Sequence, residues 1–222
     1  MPVKKRMAER LGIVFTGGEG PRPELLRQII GGNEALYAAA DSGLMLAEAA
    51  GIKPDWIIGD MDSLDSEKRL SAYPAGKIIR CAADKDFTDT ELAITLLREK
   101  NCTAVWVAGG GGGRTDHLFG IRELFEGEKF PCRWITATDD IYCVESGNPE
   151  WKQTPEPGQL VSVFLLGTGP WEAESRGLKW PLDNVQWKRG MTGLSNVATA
   201  GKTEIKVKRG RFMVILEEIW QR

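Results

Sequence analysis

Three short segments rich in aspartate and glycine carry most of the side chains in this chain that are suited to chemistry. They are Gly59-Asp60-Met61-Asp62-Ser63, Asp84-Lys85-Asp86-Phe87-Thr88-Asp89 and Gly113-Arg114-Thr115-Asp116-His117. Each follows a short apolar run that is typical of a buried strand. Carboxylates held close together repel one another unless a cation or a proton lies between them. The pattern therefore indicates a hard divalent cation together with a phosphorylated ligand.

The first segment has the spacing of a magnesium site. Asp60 and Asp62 are two residues apart, so in an extended loop both carboxylates face the same side. Mg²⁺ takes oxygen ligands, usually one or two carboxylates with phosphate oxygens and water. A turn with two solvated aspartates explains the same residues, because Asp and Gly both favour turns. From these residues alone, both interpretations stay open.

The second segment combines the start of a helix with charged residues that have no evident structural role. Thr88 and Glu91 have the spacing of a capping box, and Asp89 in the first helical turn suits the helix dipole. The preceding Asp84-Lys85-Asp86 has no such structural role. A lysine between aspartates fits a site that balances metal and phosphate charge. Taken alone, it fits a solvated charged loop slightly better.

The third segment ends a run of five glycines, residues 109–113, here called the glycine loop. Glycines let backbone amides approach a phosphate, and the following helix start adds positive potential. The run is not a Walker A loop, because no Gly-Lys-Ser/Thr follows it. It does not indicate a dinucleotide fingerprint either, because the spacing of glycines carries no information where all residues are glycine. Arg114 is suited to bidentate contact with phosphate, whereas Asp116 either caps the helix or bonds a ligand. We expect His117 to pack against its apolar helix.

Composition excludes several classes of function. The formal net charge is -2, with 29 Lys and Arg against 31 Asp and Glu, so nucleic acid is not expected as a partner. No apolar run is long enough to span a bilayer, and the first is too short for a signal peptide, so we expect a soluble cytoplasmic protein. A single histidine excludes a histidine-rich metal site and leaves Mg, Mn or Ca with oxygen ligands. Four cysteines without a zinc or redox spacing are expected to be reduced thiols: Cys81, Cys102, Cys132 and Cys143.

The first two thirds of the chain alternate between strand-like and helix-like segments. The predicted strands are 11–16, 35–40, 55–58, 77–80, 103–108 and 132–136. The predicted helices are 23–30, 44–50, 89–100 and 116–125. This alternation, with continuous apolar strands, predicts a mostly parallel, Rossmann-like α/β sheet covered on both faces. Because such sheets bind ligands beyond the carboxyl ends of their strands, Asp41 and the three segments should lie along one edge.

The last third of the chain has a different character. Residues 146–158 are rich in proline, glycine and polar residues, and the segments 159–166, 204–208 and 211–216 read as strands, with a hairpin turn at 208–211. We therefore predict an α/β catalytic domain over 1–147 and a small antiparallel β domain over 148–222. Trp180 is suited to stacking on a flat aromatic or cationic ligand, although with eight tryptophans packing is the default for each. Ser195-Asn196 is ordinary turn chemistry when considered alone.

In this order and spacing, the segments resemble the thiamine pyrophosphokinase family. The resemblance covers nearly the whole chain beyond the N-terminal arm and rests on Asp41-Ser42-Gly43, Pro54-Asp55, the three segments above, Gly177-Leu178-Lys179-Trp180-Pro181-Leu182 and Ser195-Asn196. It implies an α/β catalytic domain that binds ATP and Mg²⁺, a C-terminal β-sandwich that binds thiamine, and a homodimer with shared active sites. It also implies the reaction, in which ATP and thiamine give thiamine diphosphate and AMP.

The resemblance also implies roles for individual residues. Those implied at the catalytic centre are Asp60, Asp62, Asp84, Asp86 and Asp89, of which Asp60, Asp62 and Asp84 are the metal ligands. Those implied to bind ATP are Asp41, Ser63, Lys85, Thr88, Gly112, Gly113 and Arg114. Those implied to bind thiamine are Asp116, Trp180, Ser195 and Asn196. The chain departs from the family in having Ser42 where a glycine is frequent, and Ile121 near a frequent asparagine.

Two other functions stay open from the sequence. A diphosphokinase of the same fold acting on another hydroxymethyl heterocycle, such as a pterin, would need the same acidic residues. A thiamine or nucleotide sensor without catalysis is the alternative from another class. The full set of carboxylates argues against the sensor, because binding alone does not need so many metal ligands.

Overall fold

The computed structural model describes residues 10–61, 67–82, 84, 86–199 and 201–217. Three residues with predicted roles, Asp62, Ser63 and Lys85, therefore lie outside the described residues. The chain divides into two compact units, one ending at Ile121 and the other beginning at Arg122. None of the described helices is both long and apolar enough to cross a membrane.

The first unit is built on a parallel sheet. Its strands, named β1 to β5 in chain order, are Leu11–Phe15, Ala35–Ala40, Trp56–Gly59, Ile78–Arg80 and Ala104–Ala108. They lie in the order β5-β1-β2-β3-β4, and every neighbouring pair is parallel. The helices, named α1 to α5, are Pro23–Ile30, Gly43–Ala49, Glu67–Leu70, Asp89–Glu99 and Thr115–Leu124. The predicted α/β fold is confirmed.

Helices cover both faces of this sheet, as the continuous apolar strands require. Ile13 and Phe15 of β1 lie in a buried cluster with Leu26 of α1. Gly12 points to the other face, where an added Cβ would lie 2.9 Å from Cδ1 of Leu97 in α4. The central strand is thus buried on both sides, and its carboxyl end is where ligands gain access.

The start of α4 is held by two sets of hydrogen bonds. The predicted capping box is confirmed: Thr88 N donates to Glu91 Oε2 at 2.7 Å, and Glu91 N donates to Thr88 Oγ1 at 3.2 Å. The hydroxyls of Thr90 and Thr16, which are buried and 2.8 Å apart, connect the first turn of α4 to the end of β1. Asp89 is therefore placed by contacts on both sides of it.

The second unit is an antiparallel β-sandwich. Its strands, named β6 to β13, are Arg133–Ile135, Asp139–Glu145, Glu150–Gln153, Leu160–Leu166, Glu172–Arg176, Thr192–Val197, Thr203–Arg209 and Arg211–Glu217. Within this unit they follow the orders β11-β9-β13-β7-β6 and β10-β12-β8. Val163 and Phe212 of the first sheet share a buried cluster with Ile205 and Val207 of the second. The predicted antiparallel C-terminal fold is confirmed.

Four strands of this unit, β7, β8, β10 and β11, were not predicted. Strand β8 lies inside 146–158, the stretch rich in proline, glycine and polar residues, and its only buried residue is Trp151. In β10 only Ala173 is buried. A strand with one face in solvent carries few apolar residues, so its sequence resembles that of a loop.

Candidate functional site

The carboxyl ends of the parallel strands bring the predicted acidic residues together. Asp41 directly follows β2, Asp60 directly follows β3, and Asp89 is the first residue of α4. The Asp41 amide donates to Ile58 O at 2.9 Å, which fixes the turn after β2 against β3. The expectation that Asp41, Asp60 and the glycine loop lie at one edge of the sheet is confirmed.

Asp41, Asp60 and Asp89 form a close group of carboxylates, here called the acidic group. The Asp41 carboxylate is hydrogen-bonded to that of Asp89 and accepts a bond from the Met61 amide. Its Oδ1 is buried and accepts no hydrogen bond from the residues that the structure describes. Burial, then Asp89, then the charge of Asp60 raise the pKa of Asp41 from its ordinary value to about 7. Burial and two neighbouring carboxylates thus both disfavour the ionised form of Asp41, and such perturbed carboxyl groups are frequent at functional sites.

Gly59 makes room for this arrangement. It is buried at the end of β3, and a Cβ added to it would overlap Oδ1 of Asp41. Gly43, at the start of α2, also has no space for a side chain, because an added Cβ would overlap Phe15 O. Ser42, one of the departures from the family pattern, packs its Oγ against Gly17.

Backbone strain marks the same places. Among the described residues, four that are not glycine have positive φ: Asp41 at 44°, Met61 at 67°, Asn101 at 65° and Ser195 at 55°. Asn101 follows the end of α4, where this conformation is common. The other three each adjoin or are predicted site residues, and such strain persists where surrounding contacts enforce it for a function.

Asp84 and Asp86 are not part of the acidic group. Both are exposed in the segment before α4. As far as the chain is described, no three His, Cys, Asp or Glu side chains are arranged to hold a metal ion. Asp89, for which the helix start gave a sufficient local explanation, is in addition hydrogen-bonded to Asp41.

The glycine loop divides into a structural part and an exposed part. Gly110 N donates to Gly17 O at 2.9 Å and Gly111 N to Glu19 O at 2.8 Å, so these amides join the loop to the segment after β1. Gly112 and Gly113 are exposed, and within the described residues their amides make no hydrogen bond. The amides of these two glycines are therefore available to a ligand, and both residues were predicted to bind ATP.

Arg114 and Asp116 form a bidentate ion pair. Nε of Arg114 donates to Oδ1 of Asp116 at 3.1 Å, and Nη2 donates to Oδ2 at 2.6 Å. Hydrogen bonding to Arg114 holds the pKa of Asp116 down at about 2. The sequence assigned these residues to different ligands, whereas the structure couples them. His117 is exposed, so the expectation that it packs was wrong: the start of α5 is exposed all around, Leu118 and Phe119 included.

In the second unit, Asn196 holds Trp180. Oδ1 of Asn196 accepts from Trp180 N at 3.1 Å, and its Nδ2 donates to Trp180 O at 2.6 Å. Asn196 is 5% exposed and the indole of Trp180 is 53% exposed. Ser195, beside it, donates its amide to Ser162 Oγ at 3.0 Å. Trp180 is thus largely exposed on a fixed backbone, and Nζ of Lys179 lies over its ring, 4.6 Å from the centroid.

Sequence reasoning missed Glu19, whose carboxylate lies against Gly112. The signal was present as Gly17-Gly18-Glu19-Gly20, a second glycine-rich turn directly after a buried strand. It was read only as the end of that strand. The contact joins residues far apart in the chain, and only the strand order brings them together.

The fold and site define an α/β kinase with a C-terminal β-sandwich. Comparison with known proteins gives the family. Residues 29–132 match the model of the thiamin pyrophosphokinase catalytic domain, and residues 150–212 match that of the thiamin pyrophosphokinase vitamin B1 binding domain. The chain belongs to the thiamin pyrophosphokinase family and is an enzyme of that family.

Individual relatives agree. A thiamine pyrophosphokinase of Bacillus subtilis (strain 168) is 29% identical over 161 residues, covering 71% of this chain and 75% of that protein. The crystal structure of a thiamin pyrophosphokinase from Geobacillus thermodenitrificans is 25% identical with a TM-score of 0.75, covering 96% of this chain and 99% of that one. The crystal structure of a thiamine pyrophosphokinase from Bacillus subtilis is 25% identical with a TM-score of 0.76, covering 95% of this chain and 100% of that one.

Proposed function

We propose that this enzyme transfers the diphosphoryl group of ATP to the hydroxyl of thiamine, giving thiamine diphosphate and AMP. The observation that carries the proposal is the acidic group, which shares one sheet edge with the exposed amides of the glycine loop. The names of the relatives support thiamine as the acceptor. In the proposed division of labour, residues 1–147 bind ATP and residues 148–222 bind thiamine.

The proposed cofactor is Mg²⁺, and the acidic group fits it. Its donors are all carboxylate oxygens, and the buried Oδ1 of Asp41 has no hydrogen-bond donor among the described residues. We propose that Asp60 holds the ion with Asp62 and Asp84. Bound there, the ion would supply the positive charge that lets a triphosphate approach so many carboxylates.

The remaining residues of the first unit bind and orient the nucleotide in this proposal. Gly112 and Gly113 offer amides to phosphate oxygens, and Arg114 turns its guanidinium from Asp116 to phosphate. We assign contacts along the nucleotide to Asp41, Ser63, Lys85 and Thr88, with Asp86 at the edge of the site. Such transfer depends mainly on in-line positioning and charge neutralisation.

Asp89 is the proposed acceptor of the thiamine hydroxyl proton. Its carboxylate is hydrogen-bonded to that of Asp41, whose pKa is raised to about 7. The Asp89 carboxylate would take the proton as the hydroxyl oxygen attacks the β-phosphorus. AMP then leaves from the opposite side of that phosphorus.

In the thiamine half, we propose that Trp180, Ser195 and Asp116 contact the vitamin. A cationic heterocycle stacks well on an exposed indole. Asn196 is proposed to act as a positioning residue, since its amide is used on the backbone of Trp180. The homodimer with shared sites and the cytoplasmic location stay predictions.

Asn196→Ala should raise the KM for thiamine about tenfold and leave the KM for ATP unchanged, because Trp180 loses its backbone support. Steady-state kinetics of the single variants and of a double variant with Trp180→Ala measure this. In the double variant Asn196→Ala should add little to the effect of Trp180→Ala. Fully additive effects, or the same KM shift in the exposed control Asn184→Ala, would show that Asn196 does not act through Trp180.

The proposed function is tested by AMP release from ATP with purified full-length protein and Mg²⁺. Thiamine should give AMP and thiamine diphosphate in equal amounts, and a pterin alcohol should give neither. Faster AMP release with the pterin would establish the pterin-type diphosphokinase. Calorimetric binding of thiamine without AMP formation would establish the sensor.

A further inference from the structure

The loops after β1 and β5 lie at the point where the sheet changes direction. The chain proceeds from β1 through β2 and β3 to β4, then returns so that β5 pairs with the opposite side of β1. Open α/β sheets bind ligands in a crevice at this switch point, beyond the carboxyl ends of the strands. Residues 16–19 and the glycine loop border this point and are hydrogen-bonded to each other.

Glu19 is held at this switch point by its backbone. Its amide donates to Gly111 O at 2.6 Å, and its carbonyl accepts from Gly111 N at 2.8 Å. Gly112, at φ +61°, has no space for a side chain, because an added Cβ would lie 2.6 Å from both Oε1 and Oε2 of Glu19. The Glu19 carboxylate therefore lies against Gly112, one of the two loop glycines that are exposed.

The Glu19 carboxylate is available to a ligand. The residue is exposed, and among the residues that the structure describes its carboxylate has neither an ion pair nor a hydrogen bond. An ionised carboxylate only accepts hydrogen bonds and repels phosphate. A ligand group that meets Glu19 would therefore be a hydrogen-bond donor and not a phosphate, next to the phosphates that Gly112 and Gly113 would bind.

We propose that Glu19 accepts hydrogen bonds from the ribose hydroxyls of the nucleotide and makes the enzyme select ribonucleotides. The ribose is bonded directly to the phosphate chain, whereas the amino group of the base is farther from it. Two vicinal hydroxyls also match the two oxygens of one carboxylate, the same chemistry by which acidic residues hold ribose in dinucleotide sites. The inference rests on the proposed function, because it needs a nucleotide at this switch point.

The test compares ATP with 2′,3′-dideoxy-ATP in the AMP-release assay with thiamine. For wild type, kcat/KM should be about tenfold or more higher with ATP than with 2′,3′-dideoxy-ATP. A ratio of this size corresponds to the free energy of hydrogen bonds to a charged acceptor. Glu19→Ala should abolish this preference by lowering kcat/KM for ATP alone, and Glu19→Gln should reduce it. Glu34→Ala, an exposed acidic residue just before β2 at the opposite edge of the sheet, is the matched control and should keep the wild-type ratio.

The outcomes separate this inference from the proposed function. A wild type that does not discriminate, or a Glu19→Ala variant that keeps the wild-type ratio, overturns the role of Glu19 while leaving thiamine diphosphate synthesis intact. If no AMP forms with either nucleotide, the proposed function fails. Calorimetry then measures the affinities for AMP and 2′,3′-dideoxy-AMP, and the inference requires wild type, but not Glu19→Ala, to bind AMP more tightly. Absence of AMP binding overturns the inference.

Discussion

Asp60→Asn should lower turnover by about 10²- to 10³-fold, while the metal-free protein stays as stable as wild type or becomes more stable above pH 7. The loss of turnover follows because a proposed metal ligand becomes neutral. The gain in stability follows because Asp60 is one of the charges that raise the pKa of Asp41 to about 7. Above that pH Asp41 is ionised beside the charge of Asp60, so removing that charge relieves repulsion in the folded state.

Two measurements on the same preparations check this prediction. AMP release with thiamine and Mg²⁺ gives turnover, and thermal unfolding at pH 8 without metal gives stability. Glu34→Gln removes an exposed charge elsewhere in the same unit and should change neither. Normal Mg²⁺-dependent turnover in Asp60→Asn would refute the assigned site. A strong loss of stability would show instead that Asp60 supports the fold.

Gly59→Ala should reduce turnover by about 100-fold and destabilise the protein by about 1–3 kcal/mol. The added methyl group would occupy the position of Asp41 Oδ1, and Asp41 cannot move freely because its backbone is held at φ 44°. Either the carboxylate leaves the acidic group or β3 shifts. Chemical denaturation and AMP release measure the two effects.

Gly32→Ala is the matched control, because Gly32 also has a positive φ, +84°, and no heavy atom lies within 4 Å of the Cβ it would add. It should leave turnover near wild type and show only the cost of the backbone strain that Gly59, at φ +155°, shares. In an Asp41→Ala background, Gly59→Ala should cost less stability, since the overlapping oxygen is gone. An equal cost in both backgrounds would mean that Gly59 is needed for a reason other than the position of Asp41.

The first unit was predictable because its signals are local. A strand buried on both faces is a continuous apolar run, and the helix at Asp89 begins with a capping box contained in four residues. Strands β8 and β10 were missed because each buries a single side chain. In such strands, burial is decided by the facing sheet and not by local sequence.

The site was predictable in its chemistry and less so in its membership. The resemblance implied catalytic roles for Asp60 and Asp89 alike, whereas the local pattern at Asp89 indicated only a helix start, because one local explanation was already sufficient. Glu19 and Asn196 depend on contacts with Gly112 and Trp180, which no spacing rule connects. A motif shows which groups are available, and the fold decides which of them meet.

The hydrogen bond between Thr16 and Thr90 has a mechanical consequence. Thr16 begins the loop that carries Glu19, and Thr90 is the neighbour of Asp89 on α4. The buried hydrogen bond therefore connects the loop proposed to contact the nucleotide with the residue proposed to accept the proton. Substitutions in the loop after β1 that change the preferred nucleotide should therefore also affect the proton transfer proposed for Asp89.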